Sequence, residues 1–343
     1  MTIVSVLGAG SWGTSLALLL ARQGKTVKLW AKREGLIEDI KNMQENRKYL
    51  PGIIIPSSIK LTTDLEYAVS ETKAVLLAVP SHSIREVITE LLPFLKRDMV
   101  LVSTAKGLEE DTLLRPLQII TEIVPDYLKQ QITVLAGPSH AEEVALRQPT
   151  AIVAAAKKRE IAEYVQDLCM GPAFRVYTNP DVVGVELGGA LKNVIALATG
   201  IVDGLGFGDN TRSALMTRGM VEIGRLGVQM GAEAATFAGL AGIGDLIVTC
   251  TSMHSRNRRA GIQLGQGKPL NEVLKNMGMV VEGVRTTKAV NGLAKKYNVE
   301  LPISQEIFQI LFQNKEPKKS VVNLMERGKT HEVEEIVLGR EDW

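Results

Sequence analysis

The sequence is poor in the residues that build metal and redox sites. Its 343 residues include only two cysteines and four histidines. Cys169 and Cys250 are too few for a disulfide framework or a four-thiolate zinc site. Cys250 could act as a nucleophile, but a packed thiol is the favoured interpretation. We therefore predict no metal cofactor.

Long apolar runs and a strong net charge are also missing. No uninterrupted apolar run reaches the about 18 residues that suggest a membrane span, and the stretch 182–202 carries Glu186 and Lys192. A net charge of +2 gives no global reason to bind nucleic acid or a membrane surface. No basic leader precedes Gly8, so no targeting peptide is expected. We predict a cytoplasmic protein with no nucleic-acid partner and no membrane span.

The strongest motif lies at the N-terminus. A β-branched run over 2–7 predicts a buried strand, and apolar residues 15–21 predict a helix. Between them stands a G-x-G-x-x-G turn, comprising Gly8, Gly10 and Gly13 with Ser11 and Trp12. In such a turn the first glycine permits the bend, the second admits a pyrophosphate, and the third lets the helix pack closely. The predicted ligand is a dinucleotide, and a merely structural turn is the alternative.

The end of the second predicted strand, 26–30, bears on the choice of dinucleotide. An acid at this place binds the ribose of NAD, whereas a base accommodates the 2′-phosphate of NADP. Lys32 and Arg33 favour NADP(H), while the neighbouring Glu34 keeps NAD(H) as the alternative. A third interpretation is that both bases decorate a solvated loop.

Strand and helix patterns then alternate. The strands are predicted over 60–62, 74–79, 99–103, 132–136 and 151–155, and the helices over 36–46, 64–69, 83–92, 113–123, 139–146 and 159–170. The prediction is an α/β N-terminal dinucleotide-binding (Rossmann-like) domain with a mostly parallel sheet covered on both faces. Ligands bind beyond the carboxyl ends of parallel strands. Three polar strand ends qualify as site segments: 78–81, 103–107 with Lys106, and 136–140 with Gly137 and Ser139. Lys106 could equally be a surface lysine on a turn, and His140 is expected to pack or cap locally.

The composition changes at the turn 177–181, after which the patterns are helical. We predict an NAD(P)-binding domain over 1–179 and an all-α C-terminal substrate and catalytic domain over 180–343. Its polar tail, 330–343, is expected to be loosely ordered. Helices are predicted over 183–202, 211–230, 257–264, 286–296 and 302–312.

Lys192 is the first candidate for the chemistry. Its helix, 183–202, is apolar nearly all round and must be buried, and Gly188 and Gly189 imply a close approach by another group. Burial lowers the pKa of a lysine and makes it a usable acid or base. The alternative is a lysine that reaches an interface or is bridged by Glu222 or Asp245.

The main basic cluster, Ser255-Arg256-Asn257-Arg258-Arg259, opens a predicted helix. A hydroxyl, a guanidinium and an amide at a helix start can hold a small phosphate. A solvated face and nucleic-acid binding are the alternatives, the latter weakened by the absence of interleaved aromatics.

Together these motifs resemble those of the bacterial NAD(P)-dependent glycerol-3-phosphate dehydrogenases. The resemblance runs from Thr2 to about Arg327 and rests on GAGSWGT, GPSHAEEV, ELGGALKNVIALATGI, AGIGDLIVTC and SRNRR. It implies an NADP(H) site formed by Ser11, Trp12, Lys32, Arg33, Tyr49, Lys106, Ala141, Arg256, Val281 and Glu282. It implies a substrate site formed by Lys106, Gly137, Ser139, Lys192, Asp245, Ser255, Arg256 and Asn257, with Lys192 as the proton acceptor. His140 stands where that family often has an aromatic residue.

The resemblance implies NAD(P)H-dependent reduction of dihydroxyacetone phosphate to sn-glycerol 3-phosphate, a precursor for glycerophospholipid synthesis. Catalysis would fall to Lys192, Lys106 and Asp245. The expected partner is a small phosphorylated triose, and a homodimer is the candidate assembly. The alternatives are a 3-hydroxyacid-type dehydrogenase and a non-catalytic NADP(H)-binding redox sensor.

Overall fold

The computed structural model describes residues 2–329 and 331–332. The predicted tail, 330–343, lies almost wholly outside the described residues. The strands are β1 (Ile3–Leu7), β2 (Thr26–Trp30), β3 (Glu45–Asn46), β4 (Leu50–Ile54), β5 (Lys60–Thr62), β6 (Ala74–Leu77), β7 (Val100–Ser103), β8 (Ile132–Ala136), β9 (Thr150–Ala156) and β10 (Phe174–Asn179).

Eight of these strands form one sheet in the order β10-β9-β8-β7-β6-β1-β2-β5. All neighbours pair in parallel except β8 and β9, which are antiparallel. The predicted mostly parallel sheet is confirmed. The carboxyl ends of β1, β6, β7 and β8 therefore lie along one edge, which brings together the segments that follow them.

The helices of the sheet region are α1 (Ser11–Arg22), α2 (Glu34–Met43), α3 (Leu65–Val69), α4 (Ile84–Leu91), α5 (Pro116–Ile123), α6 (Ala141–Ala145) and α7 (Arg159–Cys169). Short 3₁₀ turns cover Ser81–Ser83, Leu92–Phe94 and Asp126–Leu128. Asp64 caps α3, because its carboxylate accepts a hydrogen bond from the Tyr67 N–H at 3.1 Å.

Some predicted segments have wrong bounds. The helix predicted over 113–123 begins at Pro116, because Leu113 is left-handed (φ 63°). The helix predicted to run to Asn46 ends at Met43, because Gln44 is left-handed (φ 51°), and β3 pairs with β4 in a small antiparallel hairpin. Asn46 Nδ2 then donates to Ala9 O at 2.9 Å and to Thr14 Oγ1 at 2.8 Å, which fixes the hairpin to the glycine turn. The turn predicted over 177–181 is wrong for residues 177–179, because Phe174–Asn179 is an edge strand that pairs in parallel with β9.

The rest of the described chain is helical. Its helices are α8 (Val182–Gly204), α9 (Asp209–Gln229), α10 (Ala234–Phe237), α11 (Asp245–Thr251), α12 (Arg256–Gly265), α13 (Leu270–Met277), α14 (Glu282–Tyr297), α15 (Pro302–Phe312) and α16 (Pro317–Met325), with a π-helical turn over Leu240–Gly244. The sequence analysis predicts none of the following elements: α10, α11, α13, α16 and the π turn. The sheet ends at Asn179 and α8 begins at Val182, and we propose the link between them as the domain boundary.

Among the described residues, two stretches are long and apolar enough to cross a membrane by length and composition, Val182–Gly204 and Ala234–Thr251. The 18-residue window that qualifies is fully buried inside the protein in the first stretch and 44% buried in the second. Helix α8 is thus the central helix of the helical region, as its all-round apolar pattern predicts.

Candidate active site

The glycine turn after β1 has the geometry that a dinucleotide phosphate requires. Gly8 has a φ of 117°, and a Cβ there would lie 2.6 Å from Ala78 O. A Cβ on Gly13 would lie 1.8 Å from Gly8 O, so only glycine allows α1 to pack this close. Gly10 faces open space as the N-cap of α1, and no side chain caps this helix. The first N–H groups of α1 are therefore available to an anion.

Trp12 supplies a second feature that fits a bound nucleotide. Its Nε1 is buried and has no hydrogen-bond partner among the described residues. A buried donor normally has a partner, and a bound group is one way to supply it. Ser11 is half-buried beside Trp12. Ala141 is 8% exposed, and its carbonyl accepts the Ser15 hydroxyl at 2.6 Å, which joins α6 to α1.

Lys32 and Arg33, expected to act together on the ribose, have different partners. Lys32 Nζ lies 2.5 Å from Glu86 Oε1 and 3.1 Å from Glu90 Oε1, and these hydrogen bonds raise the pKa of Lys32. Arg33 donates to the Tyr49 hydroxyl and has no carboxylate partner in the described part of the chain. The positive charge of Lys32 is thus balanced by two carboxylates. Arg33 and Tyr49 form an exposed pair whose positive charge has no such partner among the described residues.

Lys106, which follows β7, points into the cleft at the sheet edge. Its Nζ donates to Gly137 O at 2.7 Å and to Ser139 Oγ at 3.3 Å, and it pairs with Asp245 Oδ2 at 3.1 Å. Its side chain is 20% exposed. Lys106 is therefore not the solvated turn lysine of the alternative interpretation, and it joins the sheet region to the helical region.

Lys192 lies at the same carboxylate. Its Nζ pairs with Asp245 Oδ1 and donates to Thr249 Oγ1 at 2.7 Å. Thr249 in turn donates to Asp245 O at 2.6 Å. The bridging acid is thus Asp245. Glu222 instead caps α15, where its carboxylate accepts from the Ser304 N–H at 3.1 Å.

Burial lowers the pKa of Lys192 to about 7, with Asp245 acting in the opposite direction and Lys106 in the same direction. Near neutral pH Lys192 is therefore present both as the ammonium, which can give a proton, and as the neutral amine, which can take one.

Two adjacent glycines of α8, Gly188 and Gly189, explain how this cluster forms. A Cβ on Gly188 would lie 2.4 Å from Ala241 O, so the π turn before Asp245 contacts α8 directly. Gly189 leaves room for the Lys106 side chain, whose Cγ would lie 3.7 Å from a Cβ there. The close approach predicted from these glycines is confirmed. It places Asp245 between two lysines that are 86 residues apart in sequence.

Glycines also set the position of α12. Gly200 and Gly204 of α8 lie against Gly261 and Gly265 of α12, where an added Cβ would come within 3.0 Å of the facing backbone. The two helices therefore pack backbone to backbone, and the start of α12 lies beside the middle of α8.

At that start, Asn257 Nδ2 donates to Asn193 Oδ1 at 2.7 Å, and Asn193 Nδ2 donates to Lys106 O at 2.9 Å. This chain of amides connects the basic cluster to Lys106.

The basic cluster divides into two parts. The Ser255 hydroxyl caps α12 by accepting the Arg258 N–H at 3.2 Å, and Arg256 donates to Val280 O at 2.9 Å. Burial lowers the pKa of the Arg256 guanidinium. Arg258 turns away and pairs with Asp203 at 2.8 Å. Ser255, Arg256 and Asn257 are thus the members of the cluster near the cleft, whereas Arg258 stabilises the helix packing.

Val281 and Glu282 lie at the start of α14, opposite the end of β6. Val281 is the N-cap of α14 and is buried. Glu282 accepts the Ser81 hydroxyl at 2.8 Å and the Ser81 N–H at 3.2 Å. This contact joins the sheet region to the helical region.

Sequence reasoning assigned no role to Thr249, Asn193 or Ser81, although each lies in a segment or motif that it singled out. Thr249 had a usable signal, since it lies one helical turn after Asp245. His140 packs, as expected, but its contacts are not local: its Nε2 lies 3.4 Å from Val248 O and its ring lies 5.7 Å from that of His254. Burial raises the pKa of the Cys250 thiol to about 12, which opposes a nucleophilic role.

Comparison with known proteins decides the family. The family profile described as NAD-dependent glycerol-3-phosphate dehydrogenase N-terminus matches residues 3–162, and the corresponding C-terminus profile matches residues 181–322. The chain belongs to the NAD-dependent glycerol-3-phosphate dehydrogenase family.

Similar members of the family cover almost the whole chain. A glycerol-3-phosphate dehydrogenase [NAD(P)+] of Pelotomaculum thermopropionicum is 56% identical over 98% of this chain and 96% of its own length. The Bacillus subtilis protein of the same name is 54% identical over 98% of each chain. The crystal structure of glycerol-3-phosphate dehydrogenase from Coxiella burnetii matches with a TM-score of 0.91 at 38% identity, covering 95% of this chain and 99% of that one.

As a member of this family, the chain is an NAD(P)-dependent oxidoreductase. More distant folds also match: a D-mandelate dehydrogenase structure has a TM-score of 0.62 at 15% identity, which shows a shared fold only. No group of three or more metal-ligating His, Cys, Asp or Glu side chains occurs in the described residues.

Proposed function

We propose that this enzyme reduces dihydroxyacetone phosphate to sn-glycerol 3-phosphate, and catalyses the reverse reaction, with Lys192 as the proton-transfer group. One observation carries the proposal: at the carboxyl edge of the sheet, Lys106 and Lys192 share the carboxylate of Asp245, which is 1% exposed. A cleft with two ammonium groups suits a ketone oxygen that becomes negatively charged during reaction.

The roles of the side chains follow from their positions. When bound, the nicotinamide cofactor supplies the hydride in reduction and accepts it in oxidation. Lys192 delivers a proton from Nζ to the C2 oxygen in reduction and removes the hydroxyl proton in oxidation. Lys106 places a second positive charge near that oxygen. Asp245 pairs with both ammonium groups and so fixes their positions.

The substrate phosphate is proposed to bind at the start of α12. Ser255, Arg256 and Asn257 begin a ten-residue helix, so a charge-assisted hydrogen bond from Arg256 adds to the helix dipole. Gly137 and Ser139, held by Lys106, line the opposite side of the cleft. Asn193 links the two sides, because it accepts from Asn257 Nδ2 and donates to Lys106 O.

NADP(H) is the proposed preferred cofactor, with Arg33 as the residue that meets the 2′-phosphate. Support comes from the pairing of Lys32 with Glu86 and Glu90, which leaves the Arg33–Tyr49 pair as the uncompensated charge at the end of β2. Ser11, Trp12 and Ala141 are proposed to surround the pyrophosphate and its riboses, and Val281 and Glu282 to border the nicotinamide half.

The test is the loss of NADPH absorbance with dihydroxyacetone phosphate, compared with NADH as the donor and with unphosphorylated dihydroxyacetone as the ketone. The proposal expects rapid oxidation of NADPH only with the phosphorylated ketone. Equal turnover of unphosphorylated hydroxy acids would favour the 3-hydroxyacid-type dehydrogenase. Cofactor binding without turnover of any substrate would favour the redox sensor.

We further propose that the enzyme acts in the cytoplasm, supplies glycerophospholipid synthesis, and assembles as a homodimer. Fractionation of cells expressing the tagged chain and light scattering of the purified enzyme test location and assembly.

A further inference from the structure

The segment 107–114, called the strap below, follows Lys106 but packs into the helical region. Leu108 is 2% exposed and lies in the same apolar core as α8 and α14, and Leu113 packs against that core. The strap thus leaves the carboxyl edge of the sheet and inserts Leu108 and Leu113 into the core of the helical region.

Leu113 is held in a costly backbone conformation. Its φ is 63°, the left-handed region that a branched apolar residue rarely adopts. The loop is closed by Leu113 N–H to Glu109 O and by Glu109 N–H to Leu114 O, both at 3.0 Å. The Leu113 side chain lies against Gly292, which has no Cβ; a Cβ there would lie only 2.9 Å from Leu113 Cδ2. Such a conformation persists only where several surrounding contacts hold the residue in place.

Ion pairs fix the strap on both sides. Glu110 lies 2.9 Å from Arg285 and 3.5 Å from Lys288 of α14. Glu109 lies 2.7 Å from Arg85 of α4, and this pairing lowers the pKa of Glu109. The strap is therefore bound to a helix of each region.

Lys106 directly precedes the strap, and its carbonyl accepts Asn193 Nδ2 at 2.9 Å. We infer that Leu113, inserted beside Gly292, is a positioning residue that holds the backbone of Lys106 in register with Lys192 and Asp245. The inference rests on the proposed function, because it assumes that Lys106 acts in the reaction. Leu113 acts through Lys106 and makes no contact with substrate.

The test compares Leu113→Ala with Leu311→Ala, a leucine of the same core that lies outside the strap and is 6% exposed. Leu113→Ala is expected to lower kcat by about tenfold, since small displacements of a catalytic group are costly, while the KM for NADPH stays unchanged. Leu311→Ala is expected to lower thermal stability and leave kcat within about twofold. In a Lys106→Ala background, Leu113→Ala is expected to cause no further loss of kcat.

Two kinetic results would overturn the inference: equal losses of kcat in the two leucine variants, or full additivity of Leu113→Ala with Lys106→Ala. A second measurement is independent of turnover. Hydrogen exchange in the peptide that spans 104–108 is expected to speed up in Leu113→Ala and not in Leu311→Ala. Unchanged exchange in Leu113→Ala would reject the positioning role of Leu113. Failure of the unaltered enzyme to reduce dihydroxyacetone phosphate would instead reject the proposed function, so the two failures can be told apart.

Discussion

Lys192 and Asp245 form an ion pair between the middle of α8 and the first residue of α11, and their side chains are 5% and 1% exposed. Two effects compete at this pair. Removal from water disfavours the ammonium, and the carboxylate favours it. Burial is the larger effect, so the pKa of Lys192 falls to about 7. A lysine of this kind is suited to proton transfer at neutral pH because neither protonation state is strongly preferred.

Replacing Lys192 by alanine is expected to lower kcat by about 10²–10⁴-fold, the usual contribution of a general acid or base. Binding of NADPH should change little. The measurement is steady-state turnover together with a fluorescence titration of NADPH. Lys275→Ala, at an exposed lysine of α13, is the matched control and should behave as the unaltered enzyme. Near-normal turnover of Lys192→Ala would reject the assignment.

The pH dependence should report Lys192. Reduction needs the protonated ammonium, so its rate should fall as pH rises through about 7, and oxidation should show the opposite limb. Asp245 raises the pKa of Lys192. Asp245→Asn should therefore move both limbs to lower pH. Profiles of kcat in the two directions measure this, and a limb that stays in place in the variant would contradict it.

The cofactor preference should depend on Arg33 and not on Lys32. Arg33→Ala is expected to raise the KM for NADPH by about tenfold or more, because a charge-assisted contact with the 2′-phosphate is lost, and to leave the KM for NADH unchanged. Lys32→Ala is the matched control, since Glu86 and Glu90 already neutralise this lysine. Equal effects of the two variants on NADPH would refute the assignment.

Arg256 and Arg258 should separate substrate binding from helix packing. Arg256→Ala is expected to raise the KM for dihydroxyacetone phosphate about 10- to 100-fold, in line with about 1.5–3 kcal/mol for a hydrogen bond to a charged group. Arg258→Ala breaks the pair with Asp203 and is expected to lower the thermal midpoint instead. Kinetics and thermal unfolding of both variants test this. An unchanged KM in Arg256→Ala would remove this residue from the phosphate site.

Much of the architecture was readable from the sequence because it depends on local patterns. The strand, glycine turn and helix at the N-terminus are specified by neighbouring residues, as are the apolar strands of the sheet and the all-round apolar pattern of α8. The hairpin β3–β4 and the strand β10 were not readable, since the first depends on Asn46 bonding to Ala9 and Thr14 and the second is a half-exposed edge strand.

The sequence by itself determined that a lysine would be buried on a helix beside two adjacent glycines, that a glycine turn would join the first strand to the first helix, and that a basic cluster would begin a helix. Only the tertiary structure decided which carboxylate meets Lys192, that Lys106 shares it, and that Lys32 is neutralised while Arg33 is not. The physical reason is that these partners lie between 53 and 139 residues apart. Such contacts follow from how helices and strands pack, which no local pattern specifies.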